Sequence, residues 1–423
     1  MAAVRDGKWL TREYSRLYPS LLPPIFLSGV PWDVFSPRTP RRIGSDFDDI
    51  SSQPLHFLGG TARLQIELPN TQGRRLSTIS EPDLRPNGRG LSQARPHIPF
   101  LLYGVLSFCL GISAYLFGVL LGVPRLLFGL SRLREIQEYI VWYSGIPIVF
   151  GIILALADVL LFFNGKRRCT PLAMAPLANR HVTVALTAYN DEASISDAVA
   201  DFRTHPEVRR VIVVSNNSID STFACAEAAG AITINESSPG YGRCVFRCLT
   251  EAAKFEDVDF IVLCEGDRTF RASDIDKLLA YAPHADIVNG TRTSESLREH
   301  TTQLSIFMYY GNIFVGKLLE AKHLGRGTLT DVGTTYKLCR RDALRTILPL
   351  VNSAINLEFN AHFLDVALEH DLVVVECPIT FHRRVGVSKG GNVNNWRGFK
   401  VGMNMIRGIV FGWKTKEHDV SLS

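Results

Sequence analysis

Two long apolar stretches constrain the fold of this chain more than any other feature. Residues 98–123 contain no charged side chain, and residues 139–163 contain a single one, Asp158. At about 1.5 Å per residue, the first stretch would form a helix of about 39 Å, which exceeds a hydrocarbon core about 30 Å thick. We therefore predict a transmembrane helical hairpin over residues 98–163, with spans 98–123 and 139–163, in preference to a pair of buried core helices.

Asp158 is the exception within the second stretch. A carboxylate at the middle of a bilayer costs about 3 kcal/mol on insertion scales. Asp158 lies close in sequence to Lys166, Arg167 and Arg168. We expect it to pair with one of these basic residues or to reach the interface.

Basic residues around the two spans predict the topology. The outer ends carry more of them than the link between the spans, and cytoplasmic segments are enriched in Lys and Arg. We therefore expect both outer ends, and the domain that follows residue 180, to be cytosolic, at the endoplasmic reticulum membrane in a eukaryote or the plasma membrane in a bacterium. The basic residues are Arg85, Arg89 and Arg95 before the first span, Arg125, Arg132 and Arg134 in the link, and Lys166, Arg167, Arg168 and Arg180 after the second span.

The first 96 residues differ in composition from the rest of the chain. Residues 1–96 are rich in Pro, Arg, Ser and Gly and lack helix or strand periodicity, which is typical of a disordered tail. They also lack the apolar core of a secretory signal peptide. The net charge of +5 suits contact with an anionic membrane surface but is too small to indicate nucleic acid, so we expect no nucleic-acid partner.

Residues 181–391 alternate between β-branched runs and segments with helical spacing. Strands separated by helices imply a mostly parallel, Rossmann-like α/β sheet, in which ligands bind beyond the carboxyl ends of the strands. The predicted strands are Val182–Leu186, Val208–Val214, Ala231–Ile234 and Phe260–Cys264, and the predicted helices are Ala193–Arg203 and Ser221–Ala229.

Polar clusters follow three of these strands, at Thr187–Glu192, Ser215–Thr222 and Glu265–Asp267. Each cluster alone could be a turn with a helix cap. Side chains two apart on an extended chain point the same way, so Glu265 and Asp267 can present two carboxylates to one cation. Carboxylates combined with a diphosphate suit Mg²⁺ or Mn²⁺.

The order of these motifs resembles the family-two glycosyltransferases with the GT-A fold, and within them the dolichyl-phosphate mannose synthases and polyprenyl-phosphate glycosyltransferases. The three clusters are similar to that family's P-x-Y-N-E, D-D-G-S-x-D-x-T and D-x-D motifs. The likeness covers residues 181–391. Further matches are Asn289–Arg292, Thr330–Asp331 with Tyr336–Leu338, and Val375–Phe381 followed by Arg383, Arg384, Gly386, Ser388 and Lys389.

The resemblance implies transfer of a sugar, with inversion, from a nucleotide diphosphate such as GDP-mannose or UDP-glucose to a polyprenyl or dolichyl phosphate. It places the cation on Glu265 and Asp267. Arg292 would be a further phosphate or sugar contact. Asp331 would orient substrate or bind the cation, or would act as a base if the acceptor were a hydroxyl. The donor residues would be Thr187, Tyr189, Asn190, Glu192, Asn216 and Asp220, and the acceptor-phosphate residues Arg383, Arg384, Ser388 and Lys389.

The chain departs from the family pattern at three places. Ser215 and Asn216 replace two acids, one of which contacts the nucleoside in the family, and Glu265 replaces an Asp. Arg383 and Arg384 both fit one family arginine, depending on the direction of counting. The changed acids leave open a membrane-tethered pseudoenzyme that binds a nucleotide sugar without turnover. The possible role of Asp331 as a base leaves open a glycosyltransferase with a hydroxyl acceptor.

A C-terminal segment, residues 396–414, has amphipathic helical spacing. Its apolar positions are Phe399, Met403, Ile406, Val410 and Trp413. Such a helix suits the headgroup layer of a membrane, and packing onto the protein's own domain is an equal alternative.

Overall fold

The computed structural model describes residues 98–131, 133–166, 177, 179–386 and 394–413. The tail predicted over residues 1–96, and Ser388 and Lys389 of the predicted acceptor site, lie outside this part of the chain.

The apolar stretches form two helical segments, Phe100–Phe128 and Leu133–Lys166, that are long and apolar enough to cross a membrane. The first is the single helix α1 (Phe100–Phe128), which ends where Gly129 takes a φ of 63°. The second comprises α2 (Leu133–Tyr143), α3 (Gly145–Ala157), a π-helical turn and α4 (Phe163–Lys166). The first segment starts inside the predicted span 98–123 and extends past its end, and the second extends beyond the span 139–163 at both ends.

Helices α1 and α3 pack closely because glycines lie between them. A Cβ added to Gly151 would lie 2.5 Å from the carbonyl oxygen of Gly104, so the two backbones nearly touch. Asp158 is fully buried beside this contact. Its Oδ1 lies 2.5 Å from Lys166 Nζ, and its Oδ2 accepts the N–H of Leu101 at 2.8 Å. The carboxylate therefore finds a basic partner, as expected, and also caps the start of α1.

In the described part of the chain, seven strands form one sheet in the order β3-β2-β1-β4-β6-β5-β7. Strand β6 runs antiparallel to β4 and β5, and the remaining neighbours are parallel. The predicted mostly parallel α/β fold is confirmed. The strands are β1 (Val182–Ala188), β2 (Val208–Ser215), β3 (Ile232–Asn235), β4 (Phe260–Glu265), β5 (Ile287–Thr291), β6 (Lys337–Arg340) and β7 (Val374–Pro378).

Helices cover both faces of the sheet. Alternate residues of β2 enter separate cores: Ile212 and Val214 join one, and Val211 and Val213 join the other. This explains why the central strands read as continuous apolar runs. The helices are α5 (Glu192–Arg203), α6 (Thr222–Ala228), α7 (Tyr241–Ala252), α8 (Ile275–Tyr281), α9 (Ile306–Lys322), α10 (Arg341–Ile347), α11 (Phe359–Glu369) and α12 (Asn395–Phe411).

Helix α9 connects the domain to the hairpin. Helix α9 packs against α1 of the hairpin and against α12 of its own domain. Met405 and Ile409 of α12 are buried, whereas Phe399 and Met403 are 43% and 47% exposed. The helix therefore packs on its own domain with one face and keeps two of its predicted apolar residues accessible.

Candidate active site

The polar clusters predicted at three strand ends meet at one edge of the sheet. Strands β1 and β4 are parallel neighbours, with Thr187 opposite Glu265. Strand β2 lies on the other side of β1, with Ser215 opposite Ala188. The sheet register thus brings together residues that are far apart in sequence.

A cavity of about 970 Å³ opens at this edge and has two chemically different walls. One wall is polar and comes from the strand ends and the loops beyond β5 and β7. The other wall is mostly apolar and comes from α9 and α12, which also contribute Asn312 and Arg397 to the lining. The polar wall includes Thr187, Tyr189, Asp191, Asn216, Glu265, Asp267, Arg292 and Arg384, and the apolar wall includes Ile306, Phe307, Phe314, Phe399, Met403 and Ile406.

Arg384 joins two carboxylates on the polar wall. Its Nη1 lies 2.8 Å from Asp267 Oδ2, and its Nη2 lies 3.0 Å from Asp191 Oδ1. Asp267 is 1% exposed, and its Oδ1 also accepts the hydroxyl and the N–H of Thr269, at 2.6 and 3.0 Å. One arginine therefore ties the loop after β1 to the end of β4.

Glu265 lies beside Asp267 in this cluster. Burial, together with the negative charge of Asp267, raises the pKa of the Glu265 carboxyl to about 7. Its Oε1 accepts the hydroxyl of Thr335 at 2.6 Å. Burial and the charge of Asp267 thus outweigh Arg384, which favours the ionised form of Glu265.

A divalent cation fits this cluster. Asp267 Oδ2 is buried and, although it is ion-paired with Arg384, receives no hydrogen bond from the residues that the structure describes. A cation would also relieve the repulsion that raises the pKa of Glu265. Within the described residues no group of three or more His, Cys, Asp or Glu side chains is placed to hold a metal. The remaining ligands of a cation on Glu265 and Asp267 would therefore come from another source, such as a diphosphate.

Asp331 faces Arg292 in a buried bidentate ion pair. Arg292 Nε and Nη2 donate to the two carboxylate oxygens at 2.7 and 2.8 Å, and the Arg292 backbone N–H donates at 3.1 Å. Burial opposes ionisation of Asp331, but the Arg292 guanidinium outweighs it and lowers the pKa of Asp331 below its usual value. A carboxylate in this state is a weak proton acceptor.

Glu376 of β7 supports the loop that carries Asp331. Its two carboxylate oxygens accept the backbone N–H of Thr330 at 2.8 Å and that of Asp331 at 3.0 Å. Glu376, which belongs to the motif of β7 that resembles the family, therefore holds the backbone of Asp331 and so helps to position the Arg292–Asp331 pair.

Three of the predicted donor residues link the loops after β1 and β2. Asn190 Oδ1 accepts the N–H of Ile219 at 2.9 Å, and Glu192 Oε2 accepts the N–H of Ser221 at 3.0 Å. In return, Asp220 Oδ2 accepts the N–H of Glu192 at 3.3 Å. These side chains shape the edge of the cavity without lining it.

The predicted site residues that the structure describes thus divide into two groups. Of the residues that the structure describes, seven line the cavity: Thr187, Tyr189, Asn216, Glu265, Asp267, Arg292 and Arg384. Five others lie behind or beside it: Asn190, Glu192, Asp220, Asp331 and Arg383. Between the two candidate arginines, Arg384 reaches the carboxylates, whereas Arg383 is exposed and its backbone N–H donates to Glu299.

Several residues of the site were not among the predicted ones. Asp191 belongs to the first motif and could have been selected from its position there. Tyr241, Thr335 and Asn360 form a buried network behind Glu265, in which the Tyr241 hydroxyl lies 2.5 Å from Thr335 Oγ1 and accepts from Asn360 Nδ2 at 2.9 Å. They lie on separate elements, and no local sequence pattern brings them together.

The chain is similar to several known proteins over part of its length. No family model matches the chain. The protein RfbJ of Shigella flexneri is 30% identical over 114 residues, which are 26% of this chain and 85% of RfbJ. The low-salt glycan biosynthesis hexosyltransferase Agl6 of Haloferax volcanii is 26% identical over 48% of this chain and 48% of its own length. A dolichyl-phosphate hexose transferase of the same organism is 27% identical over 49% of this chain and 86% of its own length.

Among solved structures the likeness is more distant. A glucosyl-3-phosphoglycerate synthase from Mycobacterium tuberculosis, in complex with Mn²⁺, UDP and phosphoglyceric acid, is 17% identical with a TM-score of 0.42. The match covers 55% of this chain and 79% of that chain.

Proposed function

Because the chain belongs to the family-two glycosyltransferases with the GT-A fold, we propose that it transfers a hexose from a nucleotide diphosphate sugar to a polyprenyl or dolichyl phosphate held in a membrane. The cavity with its two unlike walls carries this proposal. Its polar wall suits a diphosphate, and its apolar wall suits the chain of a lipid. The dolichyl-phosphate hexose transferase among the relatives points to the same acceptor class.

The polar wall would hold the donor. Asp267 and Glu265 would bind a divalent cation, Mg²⁺ or Mn²⁺, which when bound neutralises charge on the leaving diphosphate. Arg384 and Arg292 line the same cavity, and a guanidinium matches phosphate oxygens in a bidentate manner. Asp331 would act through Arg292 by fixing the orientation of its guanidinium.

The acceptor would enter along the apolar wall. Ile306 is 79% exposed and Tyr310 is 65% exposed on α9, and Trp396 is 65% exposed on α12. These accessible apolar side chains lie on α9, which packs against α1 of the hairpin, and on α12, which packs on α9. We propose that the hairpin spans the membrane with the catalytic domain on its cytosolic side, and that α9 and α12 face the bilayer.

The geometry favours a phosphate acceptor over a hydroxyl acceptor. A hydroxyl needs a base to remove its proton, but both oxygens of Asp331 are engaged by Arg292. A phosphate monoester has a second pKa of about 6 and is already an anion at neutral pH. Such an acceptor needs cationic groups to position it, and the cavity supplies Arg384 and Arg292.

A transfer assay tests the proposal. The full-length protein in detergent, with Mn²⁺ and a polyprenyl phosphate, would be given radiolabelled GDP-mannose or UDP-glucose. We expect label to move into the organic phase, and we expect Asp267→Asn to abolish the transfer. Asp342→Asn is the matched control, since Asp342 is a carboxylate with 73% side-chain exposure, outside the cavity.

The distribution of label separates the outcomes. Label in water-soluble oligosaccharide alone would contradict the lipid acceptor and favour a hydroxyl acceptor. Binding of a nucleotide sugar without any movement of label, with every acceptor offered, would contradict turnover itself.

A further inference from the structure

The side chain of Asn216 makes three hydrogen bonds to one loop. Its Nδ2 donates to the carbonyl oxygens of Glu236 and Ser238, at 3.2 and 2.8 Å. Its Oδ1 accepts the N–H of Gly240 at 3.0 Å. Asn216 is 8% exposed, so few other partners can reach its amide.

The loop bound by Asn216, residues 236–240, joins β3 to α7 and forms part of the cavity. Pro239 and Gly240 line the cavity beside Asn216. Gly240 has a φ of 137° and a ψ of 132°, a conformation that side-chain-bearing residues rarely adopt. The loop therefore holds an unusual backbone shape, and Asn216 contacts it at three points.

The hydrogen bonds also fix which way the amide points. Two carbonyl oxygens face one end of the side chain and one N–H faces the other, so the amide satisfies all three as it lies. A carboxylate of the same shape could still accept from Gly240, but its second oxygen would face two carbonyl oxygens with no proton between them. An acid at position 216 is therefore incompatible with this loop position at neutral pH.

From this geometry we infer that Asn216 is a positioning residue that clamps the 236–240 loop as a wall of the nucleotide pocket, and that it does not itself select the nucleobase. The inference rests on the proposed nucleotide-sugar donor. With both ends of its amide engaged by the loop, Asn216 has little capacity left for a base edge. Any selection among nucleobases would then come from the part of the 236–240 loop that lines the cavity.

Asn216→Asp is the decisive variant, because it restores the acid that the family pattern carries at this position. We expect it to weaken binding of both UDP and GDP, in the presence of Mn²⁺, by at least about tenfold, because buried polar groups lose their partners. The ratio of the two Kd values should stay as in the wild-type protein. Gly240→Ala, which disturbs the same loop without changing the amide, should weaken both nucleotides too. Lys254→Gln, at a position outside the loop whose side chain is 62% exposed, should change neither Kd.

Two further readouts separate the clamp from a general loss of stability. Hydrogen exchange in residues 236–240 should rise in Asn216→Asp and stay unchanged in Lys254→Gln. Lowering the pH should also narrow the gap in Kd between Asn216→Asp and wild type, since a protonated carboxyl regains one donor. A globally destabilised variant would show neither the local exchange nor the recovery in acid.

The possible results distinguish this inference from the proposed function. A wild-type protein that binds neither nucleotide would contradict the proposed donor. Hydrogen exchange would still test whether Asn216 holds the 236–240 loop in place. Unchanged exchange of the loop in Asn216→Asp would overturn the clamp. A reversal of the preference between UDP and GDP would overturn it as well, because residue 216 would then be reading the base.

Discussion

Removing one partner of the Arg292–Asp331 pair should destabilise the folded protein strongly. The two side chains are 7% and 1% exposed, and the guanidinium donates to both carboxylate oxygens. Breaking a buried pair by removing one member costs about 3–5 kcal/mol, because a charge is left unpaired. We expect a loss of this size in the free energy of unfolding for Asp331→Asn and for Arg292→Gln.

The double variant should recover part of that loss. Arg292→Gln combined with Asp331→Asn leaves two neutral amides and no unpaired charge, so it should cost about 2 kcal/mol less than the sum of the single changes, within the range of couplings known for touching residues. Urea unfolding of the full chain in detergent, followed by tryptophan fluorescence, measures all four proteins. Lys254→Gln is the control, since Lys254 forms an ion pair with Glu251 and its own side chain is 62% exposed. This substitution should change the free energy of unfolding by less than about 1 kcal/mol.

The pH dependence of this stabilisation has a definite sign. The folded-state pKa of Asp331 is lowered, so the stabilisation is fully present above the ordinary Asp pKa of about 3.9. It is lost as the pH falls through the lowered pKa of the folded protein. Additive effects in the cycle would refute this reasoning, as would an Asp331→Asn variant of wild-type stability that had lost turnover, because Asp331 would then act as a base.

Three other predictions follow from the cluster and the hairpin. Because the pKa of the Glu265 carboxyl is raised to about 7, Mn²⁺ affinity measured by electron paramagnetic resonance without nucleotide should increase from pH 6 to pH 8; a flat profile would contradict a role for Glu265 as ligand. Thr335→Val removes a hydrogen bond that lowers this pKa, so the rise in Mn²⁺ affinity should move to higher pH, and an unmoved profile would count against the contact. Gly151→Val should disrupt the packing of α1 on α3, since a Cβ there meets the Gly104 backbone at 2.5 Å, whereas Gly145→Ala, with nothing within 4 Å, should be tolerated; equal melting temperatures for the two variants would contradict the close approach.

Local patterns in the sequence predicted much of this structure. The period-two spacing of Glu265 and Asp267 placed both carboxylates at the end of β4, where the structure has them. Continuous β-branched runs predicted the parallel strands, because strands covered on both faces are apolar throughout. The apolar stretches predicted the helices of the hairpin, although not the break at Ser144 between α2 and α3.

Long-range contacts account for what the sequence did not predict. Counting along the chain left Arg383 and Arg384 equivalent, and the structure separates them through ion pairs with carboxylates more than 100 residues away. Asn216 was expected to meet the nucleoside, whereas its amide is engaged by a loop 20 to 24 residues further on. Strand β6 enters the sheet antiparallel between β4 and β5, a placement that no periodicity of a four-residue strand encodes.

Photocrosslinking can locate the lipid phosphate on the protein when the protein is in a bilayer. A polyprenyl phosphate with a photoreactive group close to its phosphate would be crosslinked to the full chain in lipid nanodiscs, and the adducts would be mapped by mass spectrometry. We expect crosslinks within residues 306–315 of α9 and 399–406 of α12. An excess of unlabelled polyprenyl phosphate should reduce these crosslinks. Crosslinks confined to α1 and α3, or insensitive to that competitor, would contradict a cavity that joins the carboxylate cluster to a membrane-borne acceptor.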